Sequence, residues 1–371
     1  MIQGHGGNKG ELAKHLGCSV EEIIDMSSNL NPLGPPEKIH TIIAERMSAI
    51  HSLPEPDAAS MGRGFAQYHG IDPKGVIAGN GTTWFIYTIP LALGAKKVVI
   101  AGPSYSDYQD ACIMHHIEYE YCLATKDENF EPDIDRISAL AESADLVFIC
   151  NPNNPTGSLI PKEKIAYLIN KHKNTCFVVD ESYLPFVENA HEISFVSQVH
   201  HPNLLVLSSM SKIFRIPGLR TGFLSGDNAL VDKVMAYYQP WSVNSLAQEV
   251  IKGIFSDPET IEPFFEKTRA YINEENHVFK QSLKGIPGIK LFEAPTYFVL
   301  AELEQYTAPE FCRAIGQDKI LIRDCSNFYG LSNKFVRFSL KKREINLALS
   351  QSIQKVLTQN NVMNKHERVH V

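Results

Sequence analysis

The feature that most constrains this 371-residue chain is a series of short, nearly continuous apolar runs separated by amphipathic stretches, between about residues 75 and 226. The runs are 97–101 (KVVIA), 145–150 (DLVFIC), 176–179 (CFVV), 204–207 (LLVL) and 222–225 (GFLS). Runs rich in β-branched residues suit strands covered on both faces, which is the state of a parallel sheet between helices. Intervening segments such as 161–172 carry helical periodicity, so the pattern is a βα repeat and predicts an α/β fold.

The last third differs. Residues 258–283 read as one long helix, with Asp257 as N-cap and Pro258 suited to the first helical position. Strand candidates follow at 297–301, 320–323 and 335–340, which predicts a smaller α+β lobe. The first forty residues or so read as a short helix and then an extended arm, because Pro32, Pro35 and Pro36 forbid regular helix. The expected organisation is an arm at 1–45 lying with the small domain, a large domain at 46–255 and a small C-terminal domain at 256–371. The polar tail from Gln359 is expected to fray.

Composition narrows the function classes. The net charge is 35 − 42 = −7, which argues against nucleic acid or an anionic membrane as partner. Seven cysteines, an odd number with no C-x-x-C pair, fit reduced thiols and no metal site. The N-terminus lacks an apolar signal-peptide core, and no apolar run is long enough to span a bilayer, so a cytoplasmic enzyme is expected.

Four segments carry the chemistry. The first is S-S-M-S-K-I-F-R-I-P-G-L-R-T-G at 208–222, where Lys212 offers an amine to an aldehyde cofactor. By itself S-x-x-K carries little, since most lysines are solvated surface charges. The second is Asp180-Glu181-Ser182-Tyr183, which follows an apolar run; alone, Asp180 reads equally as a helix N-cap. The third is N-P-N-N-P-T-G at 151–157, alone a plain turn. The fourth is Gly79-Asn80-Gly81-Thr82-Thr83 before a helical stretch, where backbone N–H groups can approach a phosphate.

Together, in this order, these segments resemble the aminotransferase family of pyridoxal-phosphate enzymes, fold type I. That resemblance implies a large domain with a mostly parallel central sheet flanked by helices, which binds the cofactor, plus the small α+β domain. It implies that Lys212 attaches pyridoxal 5'-phosphate, that Asp180 pairs with the pyridine nitrogen, and that Tyr183 and Asn154 approach the ring's phenolic oxygen. It assigns the cofactor phosphate to Gly81, Thr82, Thr83, Ser209 and Arg220, and stacking on the ring to Tyr105, which reads otherwise as a core tyrosine. Lys212, Asp180 and Tyr183 are the expected catalytic groups. Arg337, in F-V-R-F-S, matches the arginine that grips a substrate carboxylate, with a structural salt bridge as the other reading.

The finer likeness is to threonine-phosphate decarboxylases of cobalamin biosynthesis. It rests on His5-Gly6-Gly7-Asn8, S-S-N-L-N-P-L-G-P-P at 27–36, P-W-S-V-N-S-L-A-Q at 240–248 and I-R-D-C-S-N-F-Y-G-L at 322–331. It implies decarboxylation of an O-phospho-amino acid, phosphothreonine or phosphoserine, with His5, Gly6, Asn31, Arg323 and Arg337 as substrate contacts. Which of them holds which anion stays open at this stage. Histidinol-phosphate aminotransferases are near relatives that share most cofactor residues. A non-catalytic cofactor sensor would add a DNA-binding domain, and the motifs begin too near residue 1 to leave room for one. The resemblance also implies a homodimer. Three positions depart from the pattern: Leu53 where relatives often have tyrosine, Trp84 where an acidic residue is frequent, and Tyr329 in place of a common proline. Trp84 and Tyr329 are expected to bear on the substrate pocket.

Overall fold

The computed structural model describes residues 6–367, with side chains described to residue 358. In chain order the described strands are β1 (Ile24–Asp25), β2 (Val76–Gly79), β3 (Lys97–Gly102), β4 (Glu118–Leu123), β5 (Leu146–Cys150), β6 (Cys176–Asp180), β7 (Leu204–Ser209), β8 (Gly222–Gly226), β9 (Ile289–Leu291), β10 (Phe298–Leu303), β11 (Ile320–Leu321), β12 (Arg323–Asp324) and β13 (Phe335–Ser339).

Seven of them form the central sheet, in the order β2-β8-β7-β6-β5-β3-β4. Every pair is parallel except those made by β8, which runs antiparallel to β2 and β7. Alternate residues of each strand feed different cores. Val99, Val147, Phe177, Val179 and Val206 pack on one face, and Val98, Phe148, Val178, Leu205 and Leu207 on the other. This two-sided burial is why the runs are apolar throughout rather than alternating.

The small lobe is an antiparallel sheet in the order β12-β13-β10-β9, packed on the helices Ile261–Ser282 and Arg343–Glu367. The N-terminal segment joins it, since β1 pairs in parallel with β11, and the Ser339 amide donates to the Met26 carbonyl at 2.8 Å. All seven cysteines are free thiols. No helix of the described residues is long and apolar enough to cross a membrane.

Three expectations are corrected. β4, with the sequence EYEYCL, was not among the strand candidates, because an edge strand with one wet face lacks the apolar run. Asp257 does not cap the long helix: its side chain pairs with Lys38 Nζ at 2.7 Å, and residues 258–260 form a 3₁₀ turn before the helix begins at Ile261. The last helix does not stop at 359 but continues to Glu367, and residues 368–371 of the tail lie outside the described residues.

Candidate active site

The carboxyl ends of β5, β6 and β7 converge on one cavity, the place where parallel α/β sheets present functional groups. It is lined by Gly81, Thr82, Thr83, Tyr105, Asn154, Asp180, Tyr183, Ser209, Lys212 and Arg220, together with Tyr108, Cys150, Ser182 and Ser211. Every cofactor residue expected from sequence is therefore brought to one place. A larger cavity of about 570 Å³ lies behind the Ser208–Met210 segment, against Phe65, Phe255 and Phe265, but none of the expected site residues except Ser209 reaches it.

Asp180 ends β6, buried. One carboxylate oxygen accepts from the Tyr108 hydroxyl at 2.9 Å and the other from the Ser182 amide at 2.9 Å. It closes a turn rather than capping a helix. Burial pushes its carboxyl above the ordinary carboxylate value, against the pull of Ser182, Tyr108 and the Lys212 charge. Lys212 sits on the single helical turn Met210–Ile213 that follows β7. Burial, then the charges of Arg220 and Arg337, pulls its ammonium down to about 8, against Asp180 and Asp107.

At the other end of the cavity, the helix Gly81–Ala92 begins with no side-chain cap, so its first N–H groups are open. Two glycines make that end accessible. Gly81 has φ +77°, and a Cβ on it would stand 2.6 Å from the Arg220 guanidinium. A Cβ on Gly222 would stand 2.7 Å from the Thr82 amide nitrogen. Open amides, the Ser209 hydroxyl and Arg220 thus form a cradle for a doubly charged oxyanion. Pyridoxal phosphate fits this donor set: a phosphate cradle, a buried carboxylate with no ion-pair partner among the described residues, and an amine drawn down to about 8, all on one cavity. Ser182 Oγ, buried with no partner, is a further unsatisfied polar group at the cavity wall. Among the described residues no cluster of His, Cys, Asp or Glu could hold a metal ion.

Tyr183 faces the cavity from the turn after β6, and Asn154 from the loop after β5. Burial pushes the Tyr183 phenol up to about 12, with Arg337 opposing. The Asn154 side-chain oxygen accepts from Arg337 Nη1, and Arg337 Nη2 donates to the Ser27 carbonyl at 2.7 Å. Arg337 lies directly opposite Arg323 in the antiparallel β12–β13 register. Both are buried, and neither forms an ion pair with a described carboxylate; Arg323 donates to the Asn327 side chain at 2.8 Å, and Arg337 Nε has no partner. Burial pulls the Arg323 guanidinium below its ordinary value, and the Arg337 charge adds to that pull. The salt-bridge reading of Arg337 therefore fails. The two cations stand side by side with no carboxylate partner among the described residues; Arg323 lies over the Phe328 ring at 5.1 Å and Arg337 over the Phe298 ring at 5.5 Å.

Other substrate expectations fare differently. His5 lies outside the described residues. Gly7 gives its amide to the Ser27 hydroxyl at 2.7 Å, so it is not open to an anion, and Gly6 packs against the Ser27 carbonyl. Asn31 is a correction: its Nδ2 donates to the Ile213 carbonyl and the Thr268 hydroxyl, and its Oδ1 accepts from the Leu33 amide. It straps the arm to the lysine segment, fully buried with both amide hydrogens engaged, and does not line the cavity. Trp84 packs against Phe85 and Tyr238, and Tyr329 stacks on Tyr121 with ring centres 4.7 Å apart, so neither lines the cavity.

Three residues of the site escaped the sequence reading. Tyr108 holds Asp180. Asn29 donates to the Tyr183 hydroxyl at 3.4 Å. Lys341, drawn down to about 7 by burial, donates to the Ser28 carbonyl at 2.8 Å. Asn29 lies inside the 27–36 motif and Tyr108 three residues after Tyr105, but only the fold shows which asparagine or tyrosine turns inward.

A family model described as aminotransferase class I and II matches residues 21–351. A protein of Caldanaerobacter subterraneus subsp. tengcongensis, provisionally named a threonine-phosphate decarboxylase, is 33% identical over 345 residues, 92% of each chain. The crystal structure of L-threonine-O-3-phosphate decarboxylase from Porphyromonas gingivalis matches with a TM-score of 0.82 at 29% identity, covering 91% of this chain and 100% of that one. That of the histidinol-phosphate aminotransferase from Clostridium acetobutylicum matches with 0.83 at 27% identity and the same coverage. Backbone likeness alone does not separate the two activities.

Proposed function

The chain belongs to the aminotransferase class I and II family, and on that footing we propose that it is a pyridoxal-phosphate enzyme that decarboxylates an O-phospho-amino acid. Threonine phosphate is the favoured substrate, giving aminopropanol phosphate for the nucleotide-loop linker of a cobamide. Serine phosphate is smaller by one methyl, a difference that discriminates by only about 1–3 kcal/mol. The observation that carries the reading is the opposed pair Arg323 and Arg337, buried and without carboxylate partners. They stand apart from the cofactor's phosphate cradle, so the anions they meet belong to the substrate. The relatives named threonine-phosphate decarboxylase support the same choice.

Lys212 would hold the cofactor aldehyde, Asp180 its pyridine nitrogen, Tyr183 and Asn154 its phenolic oxygen, and Tyr105 its ring face. Gly81, Thr82, Thr83, Ser209 and Arg220 would hold its phosphate. When bound, pyridoxal phosphate supplies the electron sink for the charge left on the substrate's α carbon as carbon dioxide departs. Asp180 keeps the sink positive. Arg323 and Arg337 fix the two anions of the substrate and so orient the bond that breaks. Lys212 would carry the proton that returns to the α carbon. An amine drawn down to about 8 can both give and regain a proton near neutral pH.

Phosphothreonine, phosphoserine and histidinol phosphate, each offered with and without 2-oxoglutarate, test the reading. Carbon dioxide is expected from the first two and little from unphosphorylated threonine. Consumption of histidinol phosphate with 2-oxoglutarate, and no carbon dioxide from any substrate, would make the chain an aminotransferase. Arg323→Ala and Arg337→Ala should each lower kcat/KM for the phosphorylated substrate roughly ten- to hundredfold, the scale of a lost charge-assisted hydrogen bond. The absorbance of the bound cofactor should stay unchanged. The arginine whose loss leaves threonine turnover untouched is the phosphate ligand.

The surface beside Arg220 supports a two-fold homodimer. Leu53 is 79% exposed, Ile50 60% and Trp241 53%. Their segments are joined, since the Trp241 amide donates to the Pro56 carbonyl at 2.8 Å and the Ser245 hydroxyl to the Ser52 carbonyl at 2.8 Å. Such an apolar patch beside a half-open phosphate cradle fits a second copy. Light scattering should give twice the chain mass, and a fully active monomer at nanomolar concentration would contradict it. The free thiols fit a reducing compartment such as the cytoplasm.

A further inference from the structure

The cavity of about 570 Å³ behind the Ser208–Met210 segment takes no part in the chemistry proposed above. A close-packed interior leaves few voids much larger than a water, and small-molecule sites run from about 300 to 1,000 Å³. The space therefore has the size of a ligand site, not of a packing fault. Its walls are aromatic. Phe65, Phe214, Phe255 and Phe265 line it, buried, with Phe65 edge-on to Phe255 at 5.9 Å and Phe214 tilted against Phe265 at 5.6 Å. Tyr68 adds a fifth ring, 5.6 Å from Phe255.

The charges on its walls are unequal. Glu262 is already held by Arg269 at 3.4 Å and by the Tyr68 hydroxyl. Glu181 is buried and forms no ion pair among the described residues; its carboxylate accepts from the Ser194 hydroxyl and the Phe195 amide, both at 2.6 Å. Two donors leave lone pairs of that carboxylate unused. Lys162, whose charge reaches it, gives its Nζ to the Glu192 carbonyl at 2.6 Å. His69 adds no charge near neutral pH, since burial pulls its imidazole down to about 4. His191, at the rim, is exposed and lies 3.7 Å from Glu192. Ring faces attract cations, and a buried carboxylate without a cation attracts one too. We infer that this cavity is a second ligand site, which takes an organic cation with an apolar body: the body lies among the phenylalanine rings and the protonated nitrogen meets Glu181. Ser209 borders both cavities, so the site is built against the segment that carries Lys212.

Its test does not depend on what the chain decarboxylates. The probe is N,N-dimethylbenzylamine, a tertiary amine that forms no Schiff base with an aldehyde. Calorimetric titration of the full chain, saturated with pyridoxal phosphate, should give a Kd below about 1 mM at pH 8. Phenylacetate, a similar body of opposite charge, should bind at least about tenfold more weakly. Burial pushes the Glu181 carboxyl up to about 7, with Asp180 adding to the push and Ser194, Phe195 and Lys162 opposing it. The amine, protonated throughout, needs the ionised carboxylate, so its affinity should fall roughly tenfold from pH 8 to pH 6. Glu181→Gln can keep both partners, its oxygen on the Phe195 amide and its NH2 on the Ser194 hydroxyl. It should weaken the amine at least about tenfold and abolish the pH dependence. Ser197→Trp, at the exposed rim, should close the cavity with every charge unchanged, and His191→Gln should leave affinity and pH dependence in place. A folded Glu181→Gln or Ser197→Trp chain that binds the amine as the parent does overturns the inference. So does a pH dependence that disappears with His191, phenylacetate that binds as well as the amine, or a folded parent that binds no amine up to about 10 mM. A chain that binds the amine as expected but releases no carbon dioxide from any substrate overturns the proposed function and leaves this site standing.

Discussion

A chain carrying Lys212→Ala folds, melts within a few degrees of the parent, and loses both the lysine-bound cofactor spectrum and its turnover. The Lys212 side chain makes no hydrogen bond or ion pair with a described residue, so truncating it leaves no orphaned partner, and its carbonyl keeps the Asn31 and Arg215 amides. What it removes is the covalent attachment and the group that carries a proton to the α carbon. Proton transfer alone is typically worth 10²- to 10⁴-fold, so turnover should fall by at least about a thousandfold. Borohydride should then fix no cofactor to the protein, and a variant that still forms the reducible adduct would mean another lysine is the attachment point. The parent carries a related signature. An amine drawn down to about 8 is roughly one-tenth neutral at pH 7, against less than about one in a thousand at the ordinary lysine value. Only the neutral amine attacks an aldehyde. The rate of cofactor uptake by the stripped chain should therefore climb with pH up to about 8 and level there, rather than climb on towards 10.

Most of the central sheet was legible in the sequence because burial on both faces writes itself as a continuous apolar run. β3, β5, β6, β7 and β8 each carry one, while the edge strand β4 alternates glutamate with tyrosine and does not. The antiparallel sense of β8 has no local signal, since it depends on where the chain goes between strands. The cofactor residues were legible for a different reason. They sit in short segments whose spacing fixes them at the ends of successive strands, so order along the chain becomes convergence in space.

The substrate side was less legible because it is assembled across the two lobes. Arg323 and Arg337 could be named from their strands, but only the β12–β13 register places them opposite one another. Asn31 and Asn29 stand two residues apart in the same arm and differ in role. Asn31 turns toward Ile213 and Thr268, Asn29 toward Tyr183. A proline-rich arm has no period from which that choice could be read. Lys341 escaped because a lysine following a strand reads as solvated, whereas here the arm closes over it.

Asp180 carries the second large effect, and its two substitutions should pull apart stability and chemistry. In the folded chain without cofactor its carboxyl is raised by burial, so the native state binds its proton more tightly than the unfolded state does. Stability from this group is then present below the unfolded carboxylate value and is lost as pH rises through the folded value, the reverse of a salt-bridged aspartate. At neutral pH Asp180 therefore weakens the cofactor-free fold. Asp180→Asn can keep its oxygen as acceptor for the Ser182 amide and turn its NH2 to the Tyr108 hydroxyl oxygen while removing the buried charge, so the cofactor-free protein should melt higher than the parent at pH 7–8 and no higher near pH 3. With pyridoxal phosphate bound the order inverts, because the charge now faces a pyridinium and removing one member of a buried pair costs about 3–5 kcal/mol. Turnover and cofactor affinity together should fall by roughly two to four orders of magnitude in both Asp180→Asn and Asp180→Ala. The alanine chain should also melt lower than the asparagine one, since the Tyr108 hydroxyl and the Ser182 amide both lose their acceptor. Calorimetry of the stripped and loaded proteins across pH, beside carbon dioxide release, reads all of this. An asparagine variant that is less stable than the parent without cofactor and near-normal in turnover would show that Asp180 is a structural anchor and that the ring's charge is held elsewhere.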